Sequence, residues 1–207
     1  MRKTLRLGIM GGTFDPVHFG HLVTAEEALV QFNLDKVVFM PTGCPVRKTH
    51  RHVSSAEDRY LMTVIATASN PDFEVSRIEI DRPGDTYTVD TMLELRELHG
   101  PRAEIFFISG ADAVRDILTW KDAARVAELC TFIAATRPGY DVTSFPSELA
   151  EQAGFAPRVE VMEVPALAIS SSDIRARVAS RRPVRYLLPE DVAAYIEKNG
   201  LYREPVV

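Results

Sequence analysis

The apolar positions of this chain fall into short runs that alternate with longer amphipathic stretches. Residues 5–10 (Leu-Arg-Leu-Gly-Ile-Met) read as a buried strand, and residues 18–32 carry Leu22, Ala25, Ala28, Leu29 and Phe32 at helical spacing. Residues 36–40 form a second apolar run, closed by Pro41 and the turn-rich Thr42-Gly43-Cys44-Pro45. Ser55-Ala56-Glu57-Asp58 has the form of a helix start, with Ser55 able to accept from free N–H groups and Asp58 in the place of a capping-box acid. That helix is expected to run to residue 70. Residues 73–80 read as extended, 88–99 as helix, and 103–109 (Ala-Glu-Ile-Phe-Phe-Ile-Ser) as a central strand that is almost wholly apolar. Runs at 131–136 and 159–164 predict two more strands, and 171–179 a helix after the second of them. The last helix, 189–199, has Pro189 near its start, Lys198 in its last turn and Gly200 just past its end, which suits the helix dipole.

Strands and helices in alternation predict an α/β fold: a Rossmann-like, doubly wound parallel sheet with helices on both faces and a small C-terminal helical part. No repeat, low-complexity stretch or linker divides the chain, so residues 1–207 are expected to form one domain. A hydrophobic content of 46% is enough for a sizeable core. The formal charge of −5, from 24 Lys+Arg against 29 Asp+Glu, argues against a surface made to hold a nucleic-acid backbone. Any anion has to be bound locally. Cys44 and Cys130 sit in neither a C-x-x-C nor a Cys/His pattern, so no disulfide framework or structural zinc site is expected. The apolar stretch after Met1-Arg2-Lys3 is short and runs into Gly11-Gly12 and Asp15, and no run reaches the roughly 20 apolar residues of a membrane helix. A soluble, cytoplasmic protein without membrane or nucleic-acid partners is the expectation.

Chemistry concentrates after the first strand. Two glycines precede the helix that opens at residues 16–18, so the backbone can turn sharply and present N–H groups to a phosphate. The pattern is neither a Walker loop nor the G-x-G-x-x-G fingerprint. His18 and His21, three apart in the expected first helical turn, place two imidazoles on one face beside that turn. Two donors there could stabilise charge on a transferring phosphate. Spacing alone leaves a surface, capping or incidental metal-binding pair open as well. A second strand, serine-rich turn and helix start recurs at Ile169-Ser170-Ser171-Ser172-Asp173-Ile174-Arg175, where free N–H groups, hydroxyls and a guanidinium can grip phosphate oxygens, although taken alone it also reads as a plain serine N-cap with a surface arginine. Both motifs fall at strand C-termini, where open α/β sheets bind ligands.

Gly11-Gly12-Thr13-Phe14-Asp15-Pro16-Val17-His18-Phe19-Gly20-His21 resembles the H-x-G-H signature of the nucleotidyltransferase superfamily. Residues 169–175 resemble its second signature, I-S-S-T-x-I-R, with Ser172 in place of threonine and a hydroxyl kept. Over its whole length the chain is similar to the bacterial nicotinate-nucleotide adenylyltransferases. The resemblance implies adenylyl transfer from ATP to nicotinate mononucleotide, giving nicotinate adenine dinucleotide and pyrophosphate, with Mg²⁺ arriving on the ATP and no metal site of the protein's own. It implies His18, His21, Thr13 and Arg175 as catalytic, and an ATP site of Gly11, Gly12, Thr13, Phe14, His18, His21, Gly110, Asp112, Ser171, Ser172 and Arg175.

Other stretches carry the acceptor side of that likeness. Asp85-Thr86-Tyr87-Thr88-Val89-Asp90-Thr91 is similar to the family's S-Y-T-x-x-T segment, which implies that the Thr88 backbone holds the nicotinate carboxylate. Gly110-Ala111-Asp112 resembles its G-x-D, implying ribose contacts on the adenosine side. Trp120, the only tryptophan, matches the aromatic that stacks on the pyridine ring, a contact an electron-poor heterocycle favours, although a lone Trp is also common core filling. Arg137 matches a residue near nucleotide phosphate. Pro45-Val46-Arg47-Lys48 departs from the family's P-P-H-[KR]; Arg47 and Lys48 keep a cation near phosphate on the nicotinate mononucleotide side, and a solvated basic loop with Thr49, His50 and Arg51 is the other reading. Arg175, Arg177, Arg181, Arg182 and Arg185 read as a phosphate clamp continued by a solvated helix face. Nicotinamide mononucleotide, phosphopantetheine or a cytidylyl donor, and a catalytically silent nucleotide-binding module, remain alternatives, and the family includes both monomers and homodimers.

Overall fold

In a computed structural model, residues 4–44, 53–116, 120–136, 150–151, 155–165 and 167–203 are described. Six strands form one sheet: β1 (Arg6–Gly12), β2 (Lys36–Pro41), β3 (Phe73–Val75), β4 (Glu104–Gly110), β5 (Thr131–Thr136) and β6 (Val159–Glu163). Their order is β3-β2-β1-β4-β5-β6, and every neighbouring pair is parallel. The chain winds outward from β1 to β3, then returns to the other side of β1 and winds outward again. This is the doubly wound, Rossmann-like arrangement, and it puts the reversal of direction between β1 and β4.

Alternation along each strand divides the core in two. Leu7 and Ile9 of β1, Val38 and Met40 of β2, Ile105 and Phe107 of β4 and Phe132 of β5 face one way. There they meet α4 (Thr88–His99), α5 (Ala111–Asp116) and α6 (Ala123–Leu129). Met10, Val37, Phe39, Phe106, Ile108 and Ile133 face the other way, onto α1 (Phe19–Gln31), α2 (Ala56–Thr67), α7 (Ser171–Ala179) and α8 (Glu190–Lys198). The C-terminal helices therefore complete the second face, with Ile174, Val192 and Ile196 in the same cluster as Ala25 and Met62. Tyr195 of α8 also donates to Asp58 of α2 at 2.8 Å.

One stretch departs from its expected form. Residues 73–80 are extended only over Phe73–Val75, after which Ile78–Asp81 makes a single helical turn, α3. Local polar groups outweigh the alternation: the Ser76 hydroxyl accepts from the Ile78 N–H at 3.2 Å, and Arg77 bonds both Asp81 and Glu57. The short helices α5 and α6 were not predicted either. At six and seven residues they offer barely two turns of periodicity, and α6 is held by burying Ala123, Val126, Ala127 and Leu129. Among the described residues, no helix is long and apolar enough to cross a membrane. Both cysteines are free thiols.

Candidate active site

At the C-terminal edge of the sheet, Gly12 ends β1 beside Pro41 of β2, and Gly110 ends β4 beside Ala135 of β5. The first motif crosses this edge. Phe14 adopts a left-handed φ of 49°, and the Asp15–Pro16 peptide is cis. His18 is not in the first helical turn, as its spacing to His21 had suggested. It is the extended N-cap residue of α1, with φ −151° and ψ 171°, and its backbone N–H donates to Nδ1 of His21 at 3.2 Å. A cap bond therefore brings the two rings together, stacked with centroids 3.8 Å apart and planes 28° from parallel. Phe14 closes the stack from the core, edge-on to His21 at 5.0 Å. A Cβ on Gly20 would lie 3.0 Å from the His18 ring, so any larger residue between the histidines would press on that ring.

His18 is 7% exposed, and burial lowers its pKa to about 4, leaving the imidazole neutral at physiological pH. Its Nδ1 is buried without a hydrogen-bond partner among the described residues.

The second motif is stitched onto the first. Ser170 caps α7 by accepting from the Asp173 N–H at 3.2 Å. Ser171 Oγ donates to the Pro16 carbonyl at 2.8 Å, and Arg175 donates to the Asp15 carbonyl at 2.6 Å and to Ser172 Oγ at 3.2 Å. These contacts across more than 150 residues of sequence set the α7 N-terminus beside the histidine pair. The arginines that follow are partly neutralised: Arg177 bonds Asp173 at 2.7 Å, and Arg182 and Arg185 lie 3.7 Å from Asp173 and Glu190.

Thr88 is the first residue of α4, so its N–H belongs to the free donors of that helix start. Trp120 packs edge-on against Phe107 at 5.7 Å, as the core-filling reading expects, and remains partly exposed. Lys121 sits over the Tyr87 ring at 4.3 Å and so ties the tryptophan segment to the residue that caps α4. Gly110 and exposed Asp112 lie where β4 passes into α5. Arg47, Lys48 and Arg137 lie outside the described residues. Among those described, no group of three or more His, Cys, Asp or Glu side chains is placed to hold a metal ion.

The sequence reading missed the buried polar layer beneath the motifs. Arg59 of α2, 1% exposed, donates to the carbonyls of Thr13 (2.9 Å), Gly43 (2.9 Å) and Ser54 (3.1 Å). The Asp15 carboxylate accepts from the Tyr202 hydroxyl at 2.7 Å and faces the Ser54 N–H at 3.4 Å. One signal was available. Arg59 falls on the same helical face as Met62, Thr63 and Ala66, and an arginine on a buried face demands acceptors.

With this geometry in view, the comparisons with known proteins place the chain in two steps. Residues 9–177 match the family described as Cytidylyltransferase-like, a span that runs from within β1 through β6 and takes in both motifs. A Streptomyces coelicolor protein named "Probable nicotinate-nucleotide adenylyltransferase" is 58% identical over 195 residues, covering 94% of this chain and 99% of that protein. A protein of the same name from Thermoanaerobacter sp. (strain X514) is 53% identical over 205 residues, covering 99% and 97%. The chain belongs to the nicotinate-nucleotide adenylyltransferase family. Among solved structures, the nicotinic acid mononucleotide adenylyltransferase of Plasmodium falciparum complexed with APC shares the fold, with a TM-score of 0.76 at 19% identity, covering 96% of this chain and 97% of that one.

Proposed function

We propose that this protein transfers the adenylyl group of ATP to the phosphate of nicotinate mononucleotide, yielding nicotinate adenine dinucleotide and pyrophosphate in NAD biosynthesis. The observation that supports this reading is the stitching of the second motif onto the first through Ser171–Pro16 and Arg175–Asp15, which sets the two helix-opening turns side by side. The acceptor phosphate oxygen attacks the α-phosphorus in line, a new P–O bond forms, and the bond to the β-phosphate bridging oxygen breaks with its electron pair on pyrophosphate. The nucleophile is an anion already, so the reaction needs positioning and charge neutralisation rather than a strong base.

The residues divide the work as follows. Neutral His18 donates from Nε2 to the transferring phosphate, and His21, held by Phe14 and the His18 N–H, supports the same group. Thr13, Gly11 and Gly12 supply the first turn. Ser172, the free N–H groups of α7 and the guanidinium N–H groups that Arg175 does not spend on Asp15 hold the departing pyrophosphate. Gly110 and Asp112 meet the adenosine ribose. The Thr88 backbone receives the nicotinate carboxylate and Trp120 the pyridine ring, while Arg47, Lys48 and Arg137 add cations around the nucleotide phosphates. Mg²⁺ enters with the triphosphate as part of that substrate.

Steady-state pyrophosphate release tests reaction and acceptor together. With ATP and Mg²⁺, nicotinate mononucleotide is expected to turn over faster than nicotinamide mononucleotide, phosphopantetheine or any pairing with CTP as donor. Faster turnover with one of those, or no pyrophosphate with any, overturns the reading.

A further inference from the structure

A buried carboxylate that takes no part in the scheme above lies between the two substrate sides. Glu79, on α3, is 8% exposed. Its carboxylate accepts from the Thr91 hydroxyl of α4 at 2.9 Å and lies near enough to the Thr42 hydroxyl for that group to favour its ionised form. Thr42 is already anchored to the first motif, because its N–H donates to the Gly12 carbonyl at 2.9 Å and its hydroxyl lies 3.3 Å from the same oxygen. The next residue is held as tightly. A Cβ on Gly43 would stand 2.1 Å from the Glu79 carbonyl oxygen, so the main chain of α3 rests directly on this turn. From the opposite side Arg59 bonds the Gly43 and Thr13 carbonyls.

We propose that Glu79 is a positioning residue for the acceptor nucleotide, fixing the start of α4, and with it Thr88, relative to the Gly12–Thr13 turn through the Thr42–Gly43 turn. The inference rests on the proposed function in one respect, that the acceptor lies against the α4 N-terminus. A chain of polar contacts carries it: the half-buried Thr42 to Gly12, Thr42 to Glu79, and the buried Glu79 to Thr91, three residues along α4 from Thr88. Arg82 reinforces the last link by donating to the Thr91 hydroxyl at 3.0 Å, and the Thr86 hydroxyl lies 3.5 Å from the Glu79 carbonyl.

Two features separate this role from plain packing. An apolar residue would fill the volume without linking two hydroxyls on different elements, and a buried carboxyl is costly unless its bonds are used. Burial also raises the Glu79 pKa to about 7, against the opposing pull of Thr91, Arg82, Thr42 and Arg59. Near neutrality the protonated form is therefore populated, and it can still pair with both hydroxyls, since a carboxylic acid both donates and accepts. Glutamine has the same shape with the same mixed capacity.

The test is a comparison of Michaelis constants. Glu79→Ala breaks the path while Gly12 keeps its main-chain bond from Thr42, so KM for nicotinate mononucleotide is expected to rise about tenfold, with KM for ATP within about twofold. Glu79→Gln is expected to stay within about threefold of the parent on both. Thr42→Val and Thr91→Val each remove one link without emptying the core. They should raise the acceptor KM selectively, and they decide the matter if Glu79→Ala does not fold. Unchanged constants in all three breaking variants, or equal rises for both substrates accompanied by a lower Tm, overturn the proposal. Absence of pyrophosphate release by the parent enzyme with nicotinate mononucleotide is a different result, and it sinks the functional reading instead.

Discussion

The two sides of the site are built differently. On the transfer side, both motifs are locked by hydrogen bonds to main-chain carbonyls: Ser171 to Pro16, Arg175 to Asp15, Arg59 to Thr13, with the two histidines stacked above them. On the side proposed for the acceptor, the groups are a helix start at Thr88 and the half-buried Trp120, linked by side-chain contacts such as Lys121 on Tyr87 and Thr91 on Glu79. The difference matches what each side has to do. A transition state with charge developing on fixed oxygens gains from donors that need no reorganisation. In the proposed scheme a flat, electron-poor ring meets stacking and a carboxylate contact, which tolerate small adjustments.

Perturbing each side should break this contrast or sharpen it. The largest effect is expected from His21→Ala, which should lower kcat by about 10²-fold or more while leaving both Michaelis constants within a few-fold. Near-normal turnover in a steady-state assay would remove the histidine pair from the chemistry. Arg175→Ala removes a charged bond to Asp15 and the brace on Ser172. A loss of about 10- to 100-fold in kcat/KM for ATP should follow, from the roughly 1.5–3 kcal/mol of a hydrogen bond to a charged group. Trp120→Ala should act on the other side only, raising the acceptor KM by about tenfold or less, the worth of one aromatic contact, at unchanged KM for ATP. An equal rise for both substrates would show that its packing on Phe107 matters more than its exposed face.

The smallest effect near neutrality is on stability. His18 has a folded pKa of about 4 against 6.5 when exposed, so the unfolded chain takes up a proton first as pH falls. Stability is therefore full above pH 6.5 and is lost progressively down to pH 4. The loss is below about 1 kcal/mol between pH 7 and 6 and on the order of 3 kcal/mol at pH 4. Urea midpoints of the parent should fall more steeply across that window than those of His18→Asn, and parallel slopes would contradict the burial. Glu79 acts in the opposite sense. Its raised pKa contributes stability that is full below the ordinary carboxyl range and lost as pH rises through about 7.

Much of the fold was legible because it rests on periodicity. The strand at 103–109, the helix at 88–99 and the serine cap at Ser55 follow from side-chain pattern and local chemistry, and appear as β4, α4 and an accepted Asp58 N–H at 3.0 Å. The 76–81 stretch was misread because Ser76, Arg77 and Asp81 bond locally and override an apparent alternation. His18 was placed one residue too far into its helix because a histidine side chain three residues on, rather than a serine or aspartate, completes the cap.

By itself the sequence determined the succession of strands and helices, the two turns that follow strands and open helices, and the residue types gathered at each, because these depend on neighbours a few positions apart. Only the tertiary structure decided that Arg175 reaches Asp15 rather than solvent, that Phe14 backs His21, and that Arg59 and Glu79 meet at the Thr42–Gly43 turn. Those pairings join residues from 7 to 160 positions apart. They arise because a buried donor or charge has to find partners wherever the sheet brings them within reach.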